Sequence, residues 1–303
     1  MNKRKVIIDT DPGIDDLLAL SIALASEQLD ILAISTVYGN MGLEHTAPNA
    51  KLITEILEKD ITLIRGSNKP LFHAKKPSAT VHGNDGMGGL YDQYRGQTPE
   101  RNTMIEGVSE LYNLIKNSPD KITIIALGPL TNIATILLAD ETIADKIEEI
   151  HIMGGGDRVG NINELAEFNF FSDAYAAKIV LRSEIPIILS GLDVTHKVYF
   201  TDEEFEKVED TSIKQTFIKD SVRFYANLDP YLHDVCSILT LTHSEFFTYK
   251  EVNVEIVASN DITDGLMYLG NTENKNIKIK YTDTSERAAI IKHITDLLNE
   301  HYK

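Results

Sequence analysis

The chain is poor in several residue types, and each scarcity limits what it can be. It contains one cysteine, Cys236, among 303 residues, which excludes a disulfide framework and a thiolate zinc site and fits a reducing compartment. Tryptophan is absent, so an aromatic wall of a binding site must use Phe, Tyr or His. With 29 basic against 46 acidic side chains, the formal net charge is −17, which disfavours binding to nucleic-acid phosphates.

Long apolar runs are also missing. No stretch approaches the roughly 18 consecutive apolar residues of a membrane-spanning helix. After the basic start, the apolar residues 6–8 end at Asp9, too early for a signal peptide. We therefore expect a cytoplasmic protein without membrane association, and the 43 % apolar and 25 % charged content is typical of a folded globular chain.

Short apolar runs alternate with helical periodicity through the first two thirds of the chain. Continuously apolar strands are buried on both faces, so this pattern predicts an α/β fold with an open, mostly parallel, doubly wound sheet flanked by helices. The predicted strands are 6–8, 31–37, 61–64, 122–127, 150–153 and 185–189, and the predicted helices are 14–26, 47–59, 104–116 and 174–181.

The C-terminal third departs from this alternation and predicts extra strands and helices. The helices are expected at 203–228, from 235 onward and at 285–298, and the strands at 252–258, 265–269 and 277–281. Since no repeat or linker-like composition marks a boundary, we expect residues 1–303 to form one domain. Two segments without periodicity, 66–99 and 154–171, carry polar and glycine clusters, and we expect them to form walls of a functional site.

Four carboxylates lie within eight residues directly after the first predicted strand, in the segment DTDPGIDD at positions 9–16. In an open α/β sheet, the ligand crevice lies at the carboxyl ends of the strands, where this segment falls. Carboxylates this close repel one another unless a cation or protons intervene, and oxygen-only ligands select Ca²⁺ or Mg²⁺. Helix capping explains one or two of the four, so the segment favours a metal site.

Further polar candidates follow later predicted elements. His233 and Asp234 precede a helical run, where the aspartate could bind a metal and the imidazole could exchange a proton; a solvated surface pair is the alternative. Asn40 and the segment 128–132 are also consistent with a plain turn and a plain strand-to-helix connection. The segment 153–169 is rich in Asn and Glu, which can bind the hydroxyl groups of a sugar.

Together these segments resemble the inosine-uridine-type nucleoside hydrolases over nearly the whole chain. The matching motifs, in the same order, are DTDPGIDD at 9–16, TVYGN at 36–40, HGNDGMGG at 82–89, GPLTN at 128–132, MGG at 153–155, Asn161, EFN at 167–169 and HD at 233–234. The resemblance implies hydrolysis of the N-glycosidic bond of ribonucleosides to free base and ribose. It also implies a Ca²⁺ cofactor and a homodimer or homotetramer.

The resemblance further implies a role for each matching residue. The Ca²⁺ ligands would be Asp11, Asp16, Asp234 and the carbonyl oxygen of Leu127. Asp11 would act as general base on a water molecule, and His233 would protonate the departing base. The ribose would contact Asp15, Asn40, Met153, Asn161, Glu167 and Asn169. His82 lies in the loop expected to cover the base.

The base pocket is the least defined part of this assignment. Phe224, Tyr225 and Tyr231 lie just upstream of His233 and could stack on a flat heterocycle. Core packing of an amphipathic helix is an equally good interpretation of these aromatic residues. Which base is preferred therefore stays open.

Two other functions compete with nucleoside hydrolysis. A haloacid-dehalogenase-like Mg²⁺ phosphatase would use Asp9 as nucleophile and Asp11 as acid/base. That interpretation leaves Asp15, Asp16 and the pair at 233–234 without roles. A non-catalytic Ca²⁺-dependent nucleoside-binding protein would retain the same ligands but no turnover.

Overall fold

The computed structural model describes residues 3–72, 82–270 and 279–303. The strands are β1 Arg4–Thr10, β2 Leu29–Thr36, β3 Leu63–Arg65, β4 Met104–Glu106, β5 Ile122–Ala126, β6 Ile147–Met153, β7 Ile187–Ser190, β8 Phe247–Ile256, β9 Met267–Gly270 and β10 Ile279–Ser285. The α-helices are α1 Ile14–Ala25, α2 Leu43–Ile56, α3 Leu90–Tyr94, α4 Val108–Lys116, α5 Thr131–Ala139, α6 Phe168–Ser172, α7 Ala174–Leu181, α8 Leu192–Thr195, α9 Asp202–Phe205, α10 Ile213–Tyr225, α11 His233–Thr242 and α12 Arg287–His301.

The strands form one sheet in the order β4-β3-β2-β1-β5-β6-β7-β10-β8-β9. From β4 to β10 in this order, neighbouring strands pair in parallel, while β8 runs antiparallel to β10 and β9 antiparallel to β8. This confirms the predicted mostly parallel sheet and its C-terminal extension. Because β1 pairs with both β2 and β5, the chain changes direction across the sheet at β1, where a ligand crevice is expected.

Strand β1 explains why the apolar runs are continuous. Val6 and Ile8 pack into the core on one side of the sheet, with residues of α1, α10, α11 and α12. Ile7 packs into the core on the other side, with residues of α4, α5 and α7. All three side chains are fully buried, so helices cover both faces of the central strand.

Two predicted elements differ in the structure. The single helix predicted at 104–116 is wrong, because Met104–Glu106 forms β4 and pairs in parallel with β3 before α4 begins. Gly107, with φ of 105°, makes the break between them. The predicted helical segment 203–228 is interrupted, since Ser212 caps a new helix through its hydroxyl oxygen, which accepts a hydrogen bond from Gln215 N.

The two segments predicted to form walls of a site behave differently. Residues 154–171 are mostly irregular and end in α6. Of residues 66–99, positions 73–81 lie outside the described residues, and the remainder contains the short helix α3. Residues 277–278 of the predicted strand 277–281 also lie outside the description. No helix among the described residues is long and apolar enough to cross a membrane.

Candidate active site

One cavity lies where the carboxyl ends of β1, β2, β5 and β6 meet the first turns of α1, α6 and α11. It is lined by Asp11, Asp15, Asn40, His82, Leu127, Met153, Asn161, Ile162, Glu167, Phe168, Asn169, Tyr225, Asp229, His233 and Asp234. The fold thus brings together residues more than 200 positions apart. Of the site residues predicted from the sequence, Asp16, Phe224 and Tyr231 do not line it.

Asp11 occupies a narrow space between two glycines. Its Oδ2 accepts a hydrogen bond from Asn40 N at 2.7 Å. A Cβ atom on Gly39 or on Gly128 would collide with the Asp11 carboxylate. Burial and the nearby charge of Asp16 raise the pKa of Asp11 well above its usual value. The chain therefore holds, in one position at the end of β1, a carboxyl group whose ionised form is disfavoured by its surroundings.

Asp16 is the carboxylate most tightly held by its neighbours. Its Oδ2 accepts hydrogen bonds from Gly13 N at 2.9 Å and from Asn40 Nδ2 at 3.0 Å, and its Oδ1 accepts one from the Thr10 hydroxyl. Asp16, the third residue of α1, thereby accepts from the amide of the N-cap residue Gly13, so helix capping accounts for this one carboxylate of the four. Burial nevertheless raises its pKa to about 7, with Asp15 adding repulsion.

Asp11, Asp15, Asp16 and Asp234, which we call the carboxylate cluster, fit a hard divalent cation. Oxygen atoms of Asp15, Asp16 and Asp234 lie within 4.8 Å of one another. Asp15 Oδ1 is buried and accepts no hydrogen bond from the described residues. Burial raises the pKa of Asp15 and of Asp234, and mutual repulsion adds to the rise for Asp234. Such oxygen-only, uncompensated charge is what a bound cation would neutralise.

Main-chain groups hold the polar side chains of the segment from the end of β6 to the start of α6. Glu167 Oε1 accepts from Asn169 N at 2.7 Å, and its Oε2 accepts from Gly155 N at 2.8 Å. Asn161 Oδ1 accepts from Phe168 N at 2.9 Å. Asn169 Nδ2 donates to the Leu127 carbonyl at 2.7 Å. These side chains are therefore fixed in the cavity wall before any ligand enters.

His233 is the first residue of α11 and has partners at both ring nitrogens. Thr195 Oγ1 lies 2.7 Å from Nδ1, and Asp229 Oδ2 lies 3.3 Å from Nε2. Burial opposes ionisation of Asp229, but the hydrogen bond with His233 and the attraction between the two groups lower the pKa of Asp229 overall. The imidazole is therefore oriented between a hydroxyl and a carboxylate, at the edge of the cavity.

The three aromatic residues near His233 have different positions. Tyr225 lines the cavity and donates its hydroxyl to Asp15 Oδ2 at 3.3 Å, and its ring stacks on His82 with 5.7 Å between the centroids. Phe224 instead packs against Gly88, where a Cβ would lie 2.8 Å from the ring. Tyr231 lies edge-on to His233 at 6.0 Å. His82, Tyr225, Asp229 and His233 together form what we call the histidine group.

His82 completes this group from a distant part of the chain. Its Nδ1 accepts a hydrogen bond from Ile14 N at 3.3 Å, at the first turn of α1. Burial lowers its pKa to about 4, so the ring is neutral near pH 7. A neutral imidazole stacked on Tyr225 provides a flat, uncharged surface facing the cavity.

Comparison with known proteins agrees with this geometry. The sequence model of the inosine-uridine preferring nucleoside hydrolases matches residues 6–296. The chain belongs to this family. It is 33 % identical over 276 residues to an inosine-uridine preferring nucleoside hydrolase of Leishmania major, covering 87 % of this chain and 86 % of that protein.

Two further relatives extend the comparison. A pyrimidine-specific ribonucleoside hydrolase, RihA, of Shewanella baltica is 36 % identical over 275 residues, covering 87 % of this chain and 85 % of its own. A solved plant nucleoside hydrolase superposes with a TM-score of 0.88 at 31 % identity, covering 99 % of this chain and all of that one. The chain is thus a ribonucleoside hydrolase that acts on N-glycosyl bonds, and the resemblance seen in the sequence is confirmed.

Family membership leaves no room for the phosphatase interpretation, and the position of Asp9 gives the physical reason. Asp9 is buried within β1, where its Oδ1 accepts hydrogen bonds from Asn132 Nδ2 at 2.8 Å and from the Ser35 hydroxyl. It does not line the cavity of this nucleoside hydrolase. A nucleophile must reach the substrate, whereas Asp9 joins β1 to β2 and α5 in the core.

Sequence reasoning missed several residues around His233 and at the mouth of the cavity. Asp229 precedes His233 by four residues, a spacing that could have suggested their pairing. No sequence spacing pointed to Thr195, because it reaches His233 from α8, in a separate part of the chain. Ile162 and Phe168 line the cavity beside Asn161, and their apolar side chains give no binding signal within a segment rich in polar residues.

Proposed function

We propose that this nucleoside hydrolase uses a bound Ca²⁺ ion, Asp11 as general base and His233 as the acid for the departing base. The observation that carries the proposal is that His233 and three members of the carboxylate cluster line one cavity. The carboxylates crowd together with raised pKa values, and Thr195 and Asp229 orient His233 beside them. Such an arrangement separates a group that takes up a proton from a group that releases one.

The proposed ligands for the ion are Asp11, Asp16, Asp234 and the Leu127 carbonyl oxygen. Asp15 contributes its unpartnered Oδ1 to the same cluster. A Ca²⁺ ion held by these residues would neutralise the charge of the cluster and supply Lewis-acid activation of a water molecule. Oxygen donors alone suit Ca²⁺ better than zinc or copper.

Asp11 receives the proton of the attacking water in this proposal. Asp11 is buried at the carboxyl end of β1 and lines the cavity, where it can accept that proton. Asn40 N holds one carboxylate oxygen, and the Asn40 side chain lies near the expected water position. The surrounding carboxylates stabilise the positive charge that develops on the ribose in an oxocarbenium-like transition state.

The ribose contacts proposed here use groups that already line the cavity. Asp15 and Asn169 bind the 2′- and 3′-hydroxyls, and Met153 packs under the sugar. Asn161 and Glu167 bind the 5′-hydroxyl. Because their side chains are fixed by backbone hydrogen bonds, little ordering is needed when the substrate binds.

The base leaves on the side of the histidine group. His233 donates a proton to it, while Asp229 and Thr195 keep the imidazole oriented. Tyr225 and His82 contact the base directly, whereas Phe224 packs on Gly88 and Tyr231 packs beside His233, both outside the cavity lining. A positioned acid of this kind contributes about 10²- to 10⁴-fold in rate.

The experiment that tests this mechanism is a reducing-sugar assay with inosine, uridine, cytidine and adenosine, in Ca²⁺ and after thorough chelation. We expect free ribose from at least one nucleoside, lost on chelation and restored by Ca²⁺ better than by Mg²⁺. Ribose release that persists after verified removal of metal contradicts the proposed cofactor. Tight nucleoside binding without any ribose release instead supports the non-catalytic alternative.

Three wider features belong to the same proposal. Residues 1–303 act as one domain, which the single sheet supports. The enzyme works in the cytoplasm in nucleoside salvage, consistent with its one buried free cysteine. It assembles as a homodimer or homotetramer, and light scattering during size-exclusion chromatography measures this directly. A monomer at micromolar concentration contradicts the assembly.

A further inference from the structure

The short helix α8 touches two separate parts of the cavity wall. At its start, Leu192 N donates to the Gly155 carbonyl at 2.9 Å, and Gly155 N in turn donates to Glu167 Oε2 at 2.8 Å. At its end, the Thr195 hydroxyl lies 2.7 Å from His233 Nδ1. One helical turn therefore connects the backbone that holds Glu167 to the side chain that orients His233.

Asp193, in the middle of α8, attaches this turn to the C-terminal strands. Its Oδ2 accepts hydrogen bonds from Asp157 N at 2.9 Å and from the hydroxyl of Tyr281 in β10. Asp157 Oδ1 accepts from Leu269 N in β9 at 3.1 Å. The strands added beyond the parallel sheet are thus hydrogen-bonded to the segment that forms the cavity wall.

Tyr281 packs closely against the start of α8 and the Gly155 loop. Tyr281 is 3 % exposed. A Cβ atom on Gly191 would collide with the Tyr281 hydroxyl and lie 3.0 Å from the Gly155 carbonyl. Glycine at 191 is what allows the tyrosine, α8 and the Gly155 loop to meet. Loss of the Tyr281 hydroxyl leaves the Asp193 carboxylate without one of its hydrogen bonds. This weakens the attachment of α8 to β10.

We propose that Tyr281 and Asp193 are positioning residues that hold α8 so that Glu167 and His233 keep their places in the cavity wall. The inference rests on the proposed roles of Glu167 at the 5′-hydroxyl and of His233 at the base. Neither Tyr281 nor Asp193 lines the cavity, so they act through the groups they hold. Small displacements of positioned groups reduce rates by up to about 10²-fold.

The test compares Tyr281→Phe with Tyr302→Phe in the full-length protein. Tyr302 is a matched control, because it is buried and donates its hydroxyl to the Ser21 carbonyl at 2.6 Å, away from the cavity. Kinetic constants are measured for inosine, for 5′-deoxyinosine and for 4-nitrophenyl riboside, whose leaving group needs no proton. Amide hydrogen exchange is measured for peptides covering 154–169 and 233–237.

Tyr281→Phe is expected to lower kcat/KM for inosine about tenfold. The values of kcat/KM for 5′-deoxyinosine and for 4-nitrophenyl riboside fall less. The preference for a 5′-hydroxyl and the ratio of kcat/KM for inosine to that for the nitrophenyl substrate therefore both decrease. Exchange rises in both peptides. Tyr302→Phe keeps both ratios and both exchange rates, even if its thermal midpoint falls.

Unchanged substrate ratios together with unchanged exchange in Tyr281→Phe overturn the inference. If Tyr281→Phe does not fold, Asp193→Asn takes its place with the same readouts. Absence of ribose release by the wild-type protein contradicts the proposed function instead. The exchange measurement still decides the inference in that case, because it does not depend on activity.

Discussion

The carboxylate cluster and the histidine group meet at one cavity, where Tyr225 donates to Asp15, yet they are assembled in different ways. Three of the four carboxylates come from the turn after β1 and the first turn of α1. The histidine group comes from three segments, around residues 82, 225 and 229–233. The first depends on a local strand–turn–helix geometry, whereas the second exists only after distant parts of the chain have packed together.

The two regions also differ in how firmly they are held. Asp16 accepts hydrogen bonds from a backbone amide, an asparagine and a threonine. In the histidine group, His233 Nδ1 lies 2.7 Å from the Thr195 hydroxyl, but the contacts of Tyr225 with Asp15 and of His233 Nε2 with Asp229 are both 3.3 Å long. Catalytic hydrogen bonds often tighten only when the substrate binds. The comparison therefore predicts a rigid sugar side and an adaptable base side.

Asp11→Asn is the change with the largest expected effect, because it removes the proposed base from the rigid side. We expect turnover of inosine to fall by at least about 10²-fold. The fold is retained, and the metal-free protein is no less stable, because an amide removes a buried charge and its repulsion with Asp16, which together raise the pKa of Asp11. Ribose assays and thermal unfolding measure both effects.

Asp220→Asn is a suitable control for this experiment. Asp220 accepts a hydrogen bond from the Tyr94 hydroxyl at 2.9 Å and does not line the cavity. Turnover of Asp11→Asn close to that of the wild type would rule out the general-base role.

His233→Ala tests the adaptable side and should depend on the leaving group. We expect about a 10²-fold loss with inosine, since the departing purine needs a proton. The loss with 4-nitrophenyl riboside is expected to be small. His293→Ala, a change of a half-buried histidine outside the cavity, serves as control. Equal losses on both substrates contradict the acid assignment.

Asp229→Asn should also lower turnover of inosine, but by less than His233→Ala does. The substitution keeps the size of the side chain but removes the charge that pairs with His233. We expect about a tenfold loss with inosine and little change with the nitrophenyl substrate. The kcat values of Asp229→Asn and Asp220→Asn are compared at pH 7. If the Asp229 variant matches the control on both substrates, the carboxylate does not assist His233.

The smallest effect, on the free energy of unfolding, is expected for a change of Glu204, which lies outside the cavity. Arg287 Nη1 donates to Glu204 Oε1 at 3.2 Å, and its guanidinium lies 4.3 Å from the Tyr199 ring centroid. Tyr199 in turn contacts Tyr231, which packs beside His233. The hydrogen bond from Arg287 is the main cause that lowers the pKa of Glu204 to about 2.

A carboxylate with a lowered folded-state pKa stabilises the protein above its unfolded pKa of about 4.5, and this contribution is lost as pH falls towards 2. We therefore expect Glu204→Gln to lower the free energy of unfolding at pH 7 by under about 1 kcal/mol. Urea titrations at several pH values measure the difference from wild type, which should shrink below pH 4.5. A difference that grows on acidification contradicts the pairing, and activity should not change.

Local pattern was sufficient for most of the sheet and for three of the four carboxylates of the cluster. Burial on both faces requires continuous apolar strands such as Val6–Ile8, and such runs can be recognised in the sequence without knowing which strands pair with them. Asp11, Asp15 and Asp16 follow one such strand directly, so their place at its carboxyl end follows from chain order, whereas Asp234 reaches them only through the packing of α11. The strand at Met104–Glu106 was missed because three residues carry no period of their own and are ordered by pairing with β3.

The amino-acid sequence by itself determined the sheet type, the family and the acidic end of the site. Only the tertiary structure decided that Tyr225 lines the cavity while Phe224 packs on Gly88, that Thr195 and Asp229 orient His233, and that α8 connects β10 to the cavity wall. The physical reason is the range of the contacts. Periodicity and turn chemistry act over a few residues, whereas these contacts form between segments that only packing brings together.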